Sequence, residues 1–109
     1  MRKIEAQMIQ AIKAHKPFKS GNTQVSLSPE DGLAYVYLHG NLIAAECKQG
    51  WMINDCGWQT TTTKSRLNSI LALLIDRPVS ISQREYVWRL NDNGTSTIVE
   101  PHDMNLVRF

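Results

Sequence analysis

The chain lacks most of the features that assign a protein to a class at once. It has two cysteines, Cys47 and Cys56, nine apart and outside any Cys-x-x-Cys pattern. That excludes a disulfide framework and the common zinc patterns, and no histidines pair at ligand spacing, so no metal site is expected. Glycine and proline are sparse, at six and four, and mark turns rather than a linker or low-complexity stretch. No apolar run approaches the length of a bilayer span, so no membrane contact is expected. The opening MRKIEAQMIQ is basic but has neither the apolar stretch nor the small-residue cleavage site of a signal peptide. A cytosolic location is therefore expected, with both thiols free. A Gly-rich phosphate loop is absent too, because GNTQ, GNLI and GWQT lack its spacing and its lysine. Neither sign of charge dominates, and the net +2 does not by itself point to nucleic acid.

What is present fits one compact domain over residues 1–109: 42% hydrophobic and 20% charged residues, enough to build a core and to keep it soluble. The charge is unevenly placed. Residues 1–20 carry Arg2, Lys3, Lys13, Lys16 and Lys19 against Glu5 alone, whereas residues 21–60 carry only Lys48 against Glu30, Asp31, Glu46 and Asp55.

Residues 2–16 predict a helix with Ile4, Met8, Ala11, Ile12 and His15 on one stripe, stopped by Pro17. Strands follow at 23–28, 33–38, 41–47 and 51–54. The turns PEDG, HGN and KQG between them are short enough to require an antiparallel meander. Leu67, Ile70, Leu71 and Leu74 make a second helical stripe, widened by Leu73 and Ile75, with Arg77 near its end and Pro78 closing it. VSIS, EYVWRL and TSTIVE read as further strands, the last two joined by NDNG, and the tail PHDMNLVRF has little pattern. The expected fold is α+β: an antiparallel β-sheet, meander plus C-terminal hairpin, with the N-terminal helix and the second helix packed on one face.

Four consecutive threonines, Thr60 to Thr63, precede the second helix. A helix start needs one cap, and Thr62, Thr63 or Ser65 serves, while Thr60 and Thr61 suit an extended lead-in. Lys64 and Arg66 stand in the first turn, where the helix dipole disfavours cations. Hydroxyls plus misplaced cations suggest an anion or nucleic-acid contact made by Thr62, Thr63, Lys64 and Arg66. The basic Lys16 and Lys19, flanking Phe18, could extend it along a phosphate backbone.

The stretch GWQTTTTKSRLNSIL, with YLHGNLIA at 37–44 and the opening RKIEAQMIQAIKAHKPFKSGNTQV, resembles a family of short bacteriophage-encoded proteins. The resemblance rests on the Lys-Ile-Glu start, Ser20 to Thr23, Leu38 to Asn41, and Trp58 with Thr60, Thr62, Thr63, Lys64, Arg66, Leu67 and Asn68. It covers the first two thirds of the chain. It implies a viral protein working in the host cytoplasm and carries over no catalytic residues.

Two further site readings stand beside this. Asp31, Glu46 and Lys48, with Glu5 on the first helix, are similar in order to the site residues of restriction-endonuclease-like nucleases and junction resolvases. There, carboxylates hold Mg²⁺ and a lysine assists the attacking water. Apart from that Mg²⁺ no cofactor is implied. Each of these residues also fits as a turn or strand-end residue. The other reading is a non-catalytic module that binds a host protein or nucleic acid. Tyr86, Trp88 and Arg89, with Arg84, are the residue types that anchor interfaces, and self-association into a homodimer would explain the same pattern. Binding is the leading expectation, because no strong catalytic set is present.

Overall fold

The computed structural model describes residues 1–101 and 109 and the backbone of 107 and 108. Helix α1 (Lys3–Ala14) is followed by β1 (Phe18–Ser20), β2 (Thr23–Leu27), β3 (Ala34–Leu38), β4 (Asn41–Cys47) and β5 (Gly50–Ile53). Helix α2 (Thr61–Leu74) leads to β6 (Val79–Arg84), β7 (Val87–Asp92), β8 (Thr95–Val99) and β9 (Val107–Arg108).

The α+β class and the antiparallel meander hold. The difference is that the strands form two sheets, a six-stranded β1-β2-β3-β4-β5-β9 and a three-stranded β6-β7-β8. Helix α1 lies against β1, β2 and α2, and α2 touches both β4 and β6. One apolar cluster joins Met8, Ile9 and Ile12 of α1, Leu67, Ile70 and Leu71 of α2, Val25, Val36 and Ile53 of the larger sheet, and Ile81, Trp88 and Val99 of the smaller.

The α1 stripe is rotated from the expected one. Glu5, Met8, Ile9 and Ile12 are buried, while His15 is exposed and caps the helix in the left-handed conformation at φ 50°. A carboxylate on the inner stripe contributes nothing to an apolar periodicity, which is why counting apolar residues misplaced the face. On α2, Leu73 is exposed and the helix ends at Leu74, ahead of Arg77 and Pro78. Within β4 the register shifts where Val36 pairs Ala44 and Tyr37 pairs Leu42. The extra residue is Ile43, so Ile43 and Ala44 are both buried despite being neighbours in a strand.

Two strands lie outside the expected pattern, and both are short. β1 falls within the segment after Pro17, and β9 in the unpatterned tail. β9 runs along β5, where Trp51 and Phe109 exchange N–H···O bonds of 2.8 Å in each direction. Only glycine fits at position 50: its φ is 149°, and a Cβ there would lie 1.5 Å from the Phe109 carbonyl oxygen. The β6–β7 hairpin turns at Glu85 and Tyr86, both with positive φ, so the strand expected over EYVWRL begins two residues later.

Candidate functional site

Helix α2 starts earlier than its apolar stripe suggests. Thr60 is the cap, not Thr62, Thr63 or Ser65: its Oγ1 accepts the Thr63 N–H at 3.1 Å and lies 3.0 Å from the Thr63 hydroxyl. Thr63 is thereby buried, while Thr62 stays partly accessible. The two cations of the first turns have separate fates. Lys64 Nζ donates to the Gln83 side chain at 3.0 Å, towards the smaller sheet. Arg66 is 4% exposed and turned inward. Its Nη1 donates to Glu5 Oε2 at 2.7 Å and its Nε to Thr23 Oγ1 at 3.1 Å.

Arg66 therefore belongs to a hydrogen-bonded chain through the protein. The Ser65 hydroxyl also donates to Glu5, and the Arg2 N–H reaches the other Glu5 oxygen. Burial by itself would raise the Glu5 pKa, but the Ser65, Arg66 and Arg2 donors outweigh it and hold the carboxyl below its ordinary value. From Arg66 the chain continues through Thr23 to Asn22 at 3.2 Å, and from Asn22 to the His39 imidazole at 3.1 Å. The His39 N–H donates to the Asn22 carbonyl at 2.8 Å. The sequence pieces that carry the phage resemblance, Glu5, Asn22-Thr23, His39 and Arg66, thus meet in space.

His39 stands on the rim of a cleft of about 510 Å³ at the start of α2. Its walls are Leu38, Asn41, Ile43, Asp55, Cys56, Trp58, Thr60, Thr62 and Thr63. The loop leading into α2 is held from below. Asp55 is fully buried, with Oδ1 accepting the Gly57 N–H at 2.9 Å and Oδ2 the Gln59 side chain at 3.1 Å. Gln59 also donates to the Val99 carbonyl at 2.9 Å, which ties the loop to the smaller sheet. Cys56 and Gly57 both take positive φ, and the Trp58 N–H closes the turn on the Asp55 carbonyl. The Cys56 thiol donates to the Leu42 carbonyl, and burial together with Asp55 pushes its pKa up, so it is a poor nucleophile. This anchored turn leaves Trp58 65% exposed beside the cleft. The sequence alone gives Trp58 no role at a site. The signal against that was its place in Asp-Cys-Gly-Trp, a turn rather than a strand.

The carboxylates of the nuclease reading are divided. Glu5 lies near the start of α1, and Glu46 bonds His15 at its end, ten residues on, about 15 Å along a helix. Asp31 and Glu46 do reach the same end of the larger sheet. Asp31 accepts the Leu33 N–H at 3.1 Å, and Glu46 Oε1 accepts both the Ala34 N–H at 3.0 Å and His15 at 2.9 Å. The Asp31 pKa is lowered, chiefly by Leu33, with smaller help from Ser28 and Lys48. Among the described residues no group of three or more His, Cys, Asp or Glu converges with metal-binding geometry.

The other candidate residues are scattered. Lys16 and Lys19 are exposed, at the opposite end of α1 from Glu5. Trp88 is fully buried and cannot meet a partner, and its Nε1 has no hydrogen-bond partner among the described residues. Tyr86, at the hairpin tip, is 93% exposed, and Arg89 is exposed on the outer face of β7. His102 lies outside the described residues.

No described helix is long and apolar enough to cross a membrane. The family described as Kyanoviridae Gp96 protein matches residues 1–106. The chain belongs to this bacteriophage family. No curated protein and no solved structure matches it significantly.

Proposed function

We infer that the protein is a phage accessory factor that works in the host cytoplasm by binding a host protein, without catalysis of its own. The carrying observation is Trp58, a large aromatic held out of the core beside the 510 Å³ cleft by a buried aspartate. Tryptophan is among the residues that most often anchor protein interfaces, and an anchor fixed before binding loses little entropy on docking. The mixed lining, with Leu38 and Ile43 buried and His39, Asn41 and Thr62 more accessible, suits an apolar side chain flanked by backbone polar groups. A nucleic-acid target is less well supported. Arg66 is engaged with Glu5, Lys64 bonds Gln83, and Lys16 and Lys19 stand elsewhere, so the cations do not line one phosphate track.

Immobilised protein in host lysate tests this directly. A protein retained by the wild type and lost with Trp58→Ala supports the reading. Identical retention by both removes the cleft from it. Fluorescence anisotropy with single-stranded and duplex DNA, over a salt series with and without Mg²⁺, separates the alternatives. Tight binding that weakens steeply with salt would replace the protein target with nucleic acid, and Mg²⁺-dependent cleavage lost in Glu46→Ala would replace it with the nuclease.

A further inference from the structure

A sheet edge exposes unpaired N–H and C=O groups, and folded proteins block such edges against unwanted pairing. The two sheets here end on β1, β9, β6 and β8. Three of these edges are protected. β1 is three residues long, follows Pro17 and carries the exposed Lys19, and β9 is two residues long. The β6 edge is covered by a side chain standing in for a strand: the Asn68 amide donates to the Ile81 carbonyl at 2.8 Å and accepts the Ile81 N–H at 2.7 Å. The fourth edge, β8, has no such device among the described residues. Its sequence TSTIV contains no charge and no proline, its register is unbroken, and its first four residues are exposed. No described residue pairs with its outer side.

The ladder shows which groups that edge presents. The Asn93 N–H donates to the Pro78 carbonyl, so odd-numbered residues of β7 turn their backbone to β6 and even-numbered ones to β8. Trp88, Leu90 and Asp92 pair with Val99, Thr97 and Thr95. The N–H and C=O groups of Ser96 and Ile98 therefore point outward, without a partner among the described residues.

We propose that a second copy of the chain pairs with this edge, antiparallel, about a twofold axis through Thr97. In that register Ser96 of each copy exchanges both hydrogen bonds with Ile98 of the other, which pairs all the outward groups. Thr97 meets Thr97, a favourable cross-strand pair, and the 49% exposed Ile98 gains a covering strand. A twofold contact sets a strand against itself, so any charge in it would meet its like, and β8 has none. The nearest outer-face cation, Arg89, would lie in line with Asn91 of the other copy, three strand spacings or about 14 Å away, and further still from its mate, beyond the ~8 Å screening length at physiological salt. So short a strand buries less than the roughly 1,600 Å² of a standard interface, which makes the dimer weak and concentration-dependent.

Sedimentation velocity from micromolar to near-millimolar protein should show a reversible monomer–dimer shift, and a monomer throughout overturns the proposal. Ser96→Pro removes an outward N–H that β7 does not use, and Ile98→Lys places a charge on the axis-proximal face. Each should weaken dimerisation at least tenfold with an unchanged circular dichroism spectrum. Wild-type dimerisation in both would overturn the β8 interface. In a Cys47→Ser, Cys56→Ser background, Thr97→Cys should cross-link to itself on mild oxidation, since non-hydrogen-bonded pairs hold Cα atoms about 4.5 Å apart. Thr95→Cys alone should not, because it faces position 99. Equal cross-linking by the two would overturn the axis.

Discussion

The two sheets are fastened to the helices by different chemistry. The larger one is joined through buried charge: Glu5 of α1 and Arg66 of α2, side chains 3% and 5% exposed, bond each other and reach Thr23 of β2. The smaller one is joined through a neutral amide, Asn68 on the Ile81 backbone, and through apolar contact of Ile81 and Trp88. Its ion pair, Arg77 with Asp92, lies at the surface with side chains 45% and 34% exposed. The two kinds of contact respond to different stresses. A buried ion pair adds little over a well-packed apolar replacement, but it punishes the loss of one partner severely. A neutral edge contact is indifferent to pH, and a surface pair contributes little in water.

The sharpest way to break this contrast is Arg66→Ala. It leaves the Glu5 carboxylate buried without its cation and should cost about 3–5 kcal/mol in urea denaturation. The pH dependence of the same join follows from Glu5, whose folded pKa lies below the ordinary value of 4.5. Its contribution is complete above that unfolded value and is lost as pH falls through the folded one. Acid titration of the urea midpoint should therefore fall more steeply below about pH 4.5 in the wild type than in Glu5→Gln, and parallel curves would remove Glu5 from the linkage. Asn68→Ala, on the other sheet, strips both Ile81 backbone groups of their partner and should cost about 2 kcal/mol with little change between pH 4 and 7. It should also speed amide exchange at Ile81. Smallest is Asp92→Asn at the exposed pair, expected within about 1 kcal/mol of the wild type in the same assay.

The sequence shows most of the local structure and little of what the elements meet. The meander was legible because PEDG, HGN and KQG are turns with a mechanism and the strands between them alternate. The division into two sheets was not, because hairpin signals identify neighbours in sequence and say nothing of where a sheet ends. By residue type Trp88 suits an interface, yet it is fully buried. Alternation shows that it shares a face with Leu90, but not which face α2 covers. By local pattern Arg66 and Glu5 belong to separate sites, an anion contact and a metal centre. They are each other's partners, 61 residues apart, and no local pattern carries such a pairing. One signal was there to be read. Glu5 stands three, four and seven residues before Met8, Ile9 and Ile12, and Arg66 stands four before Ile70, so each charge lies on an apolar stripe.

That long span also bears on the order in which the chain folds during synthesis. Helix α1 and the whole meander are synthesised before residue 66, so Glu5 has no Arg66 to pair with until α2 is made. Burying α1 early would strand a carboxylate in an apolar layer, at a cost of several kcal/mol. Early docking of the first helix is thus disfavoured, and the two helices are expected to settle together. The buried pair thus ties closure of the core to the presence of both charged partners, one from each helix.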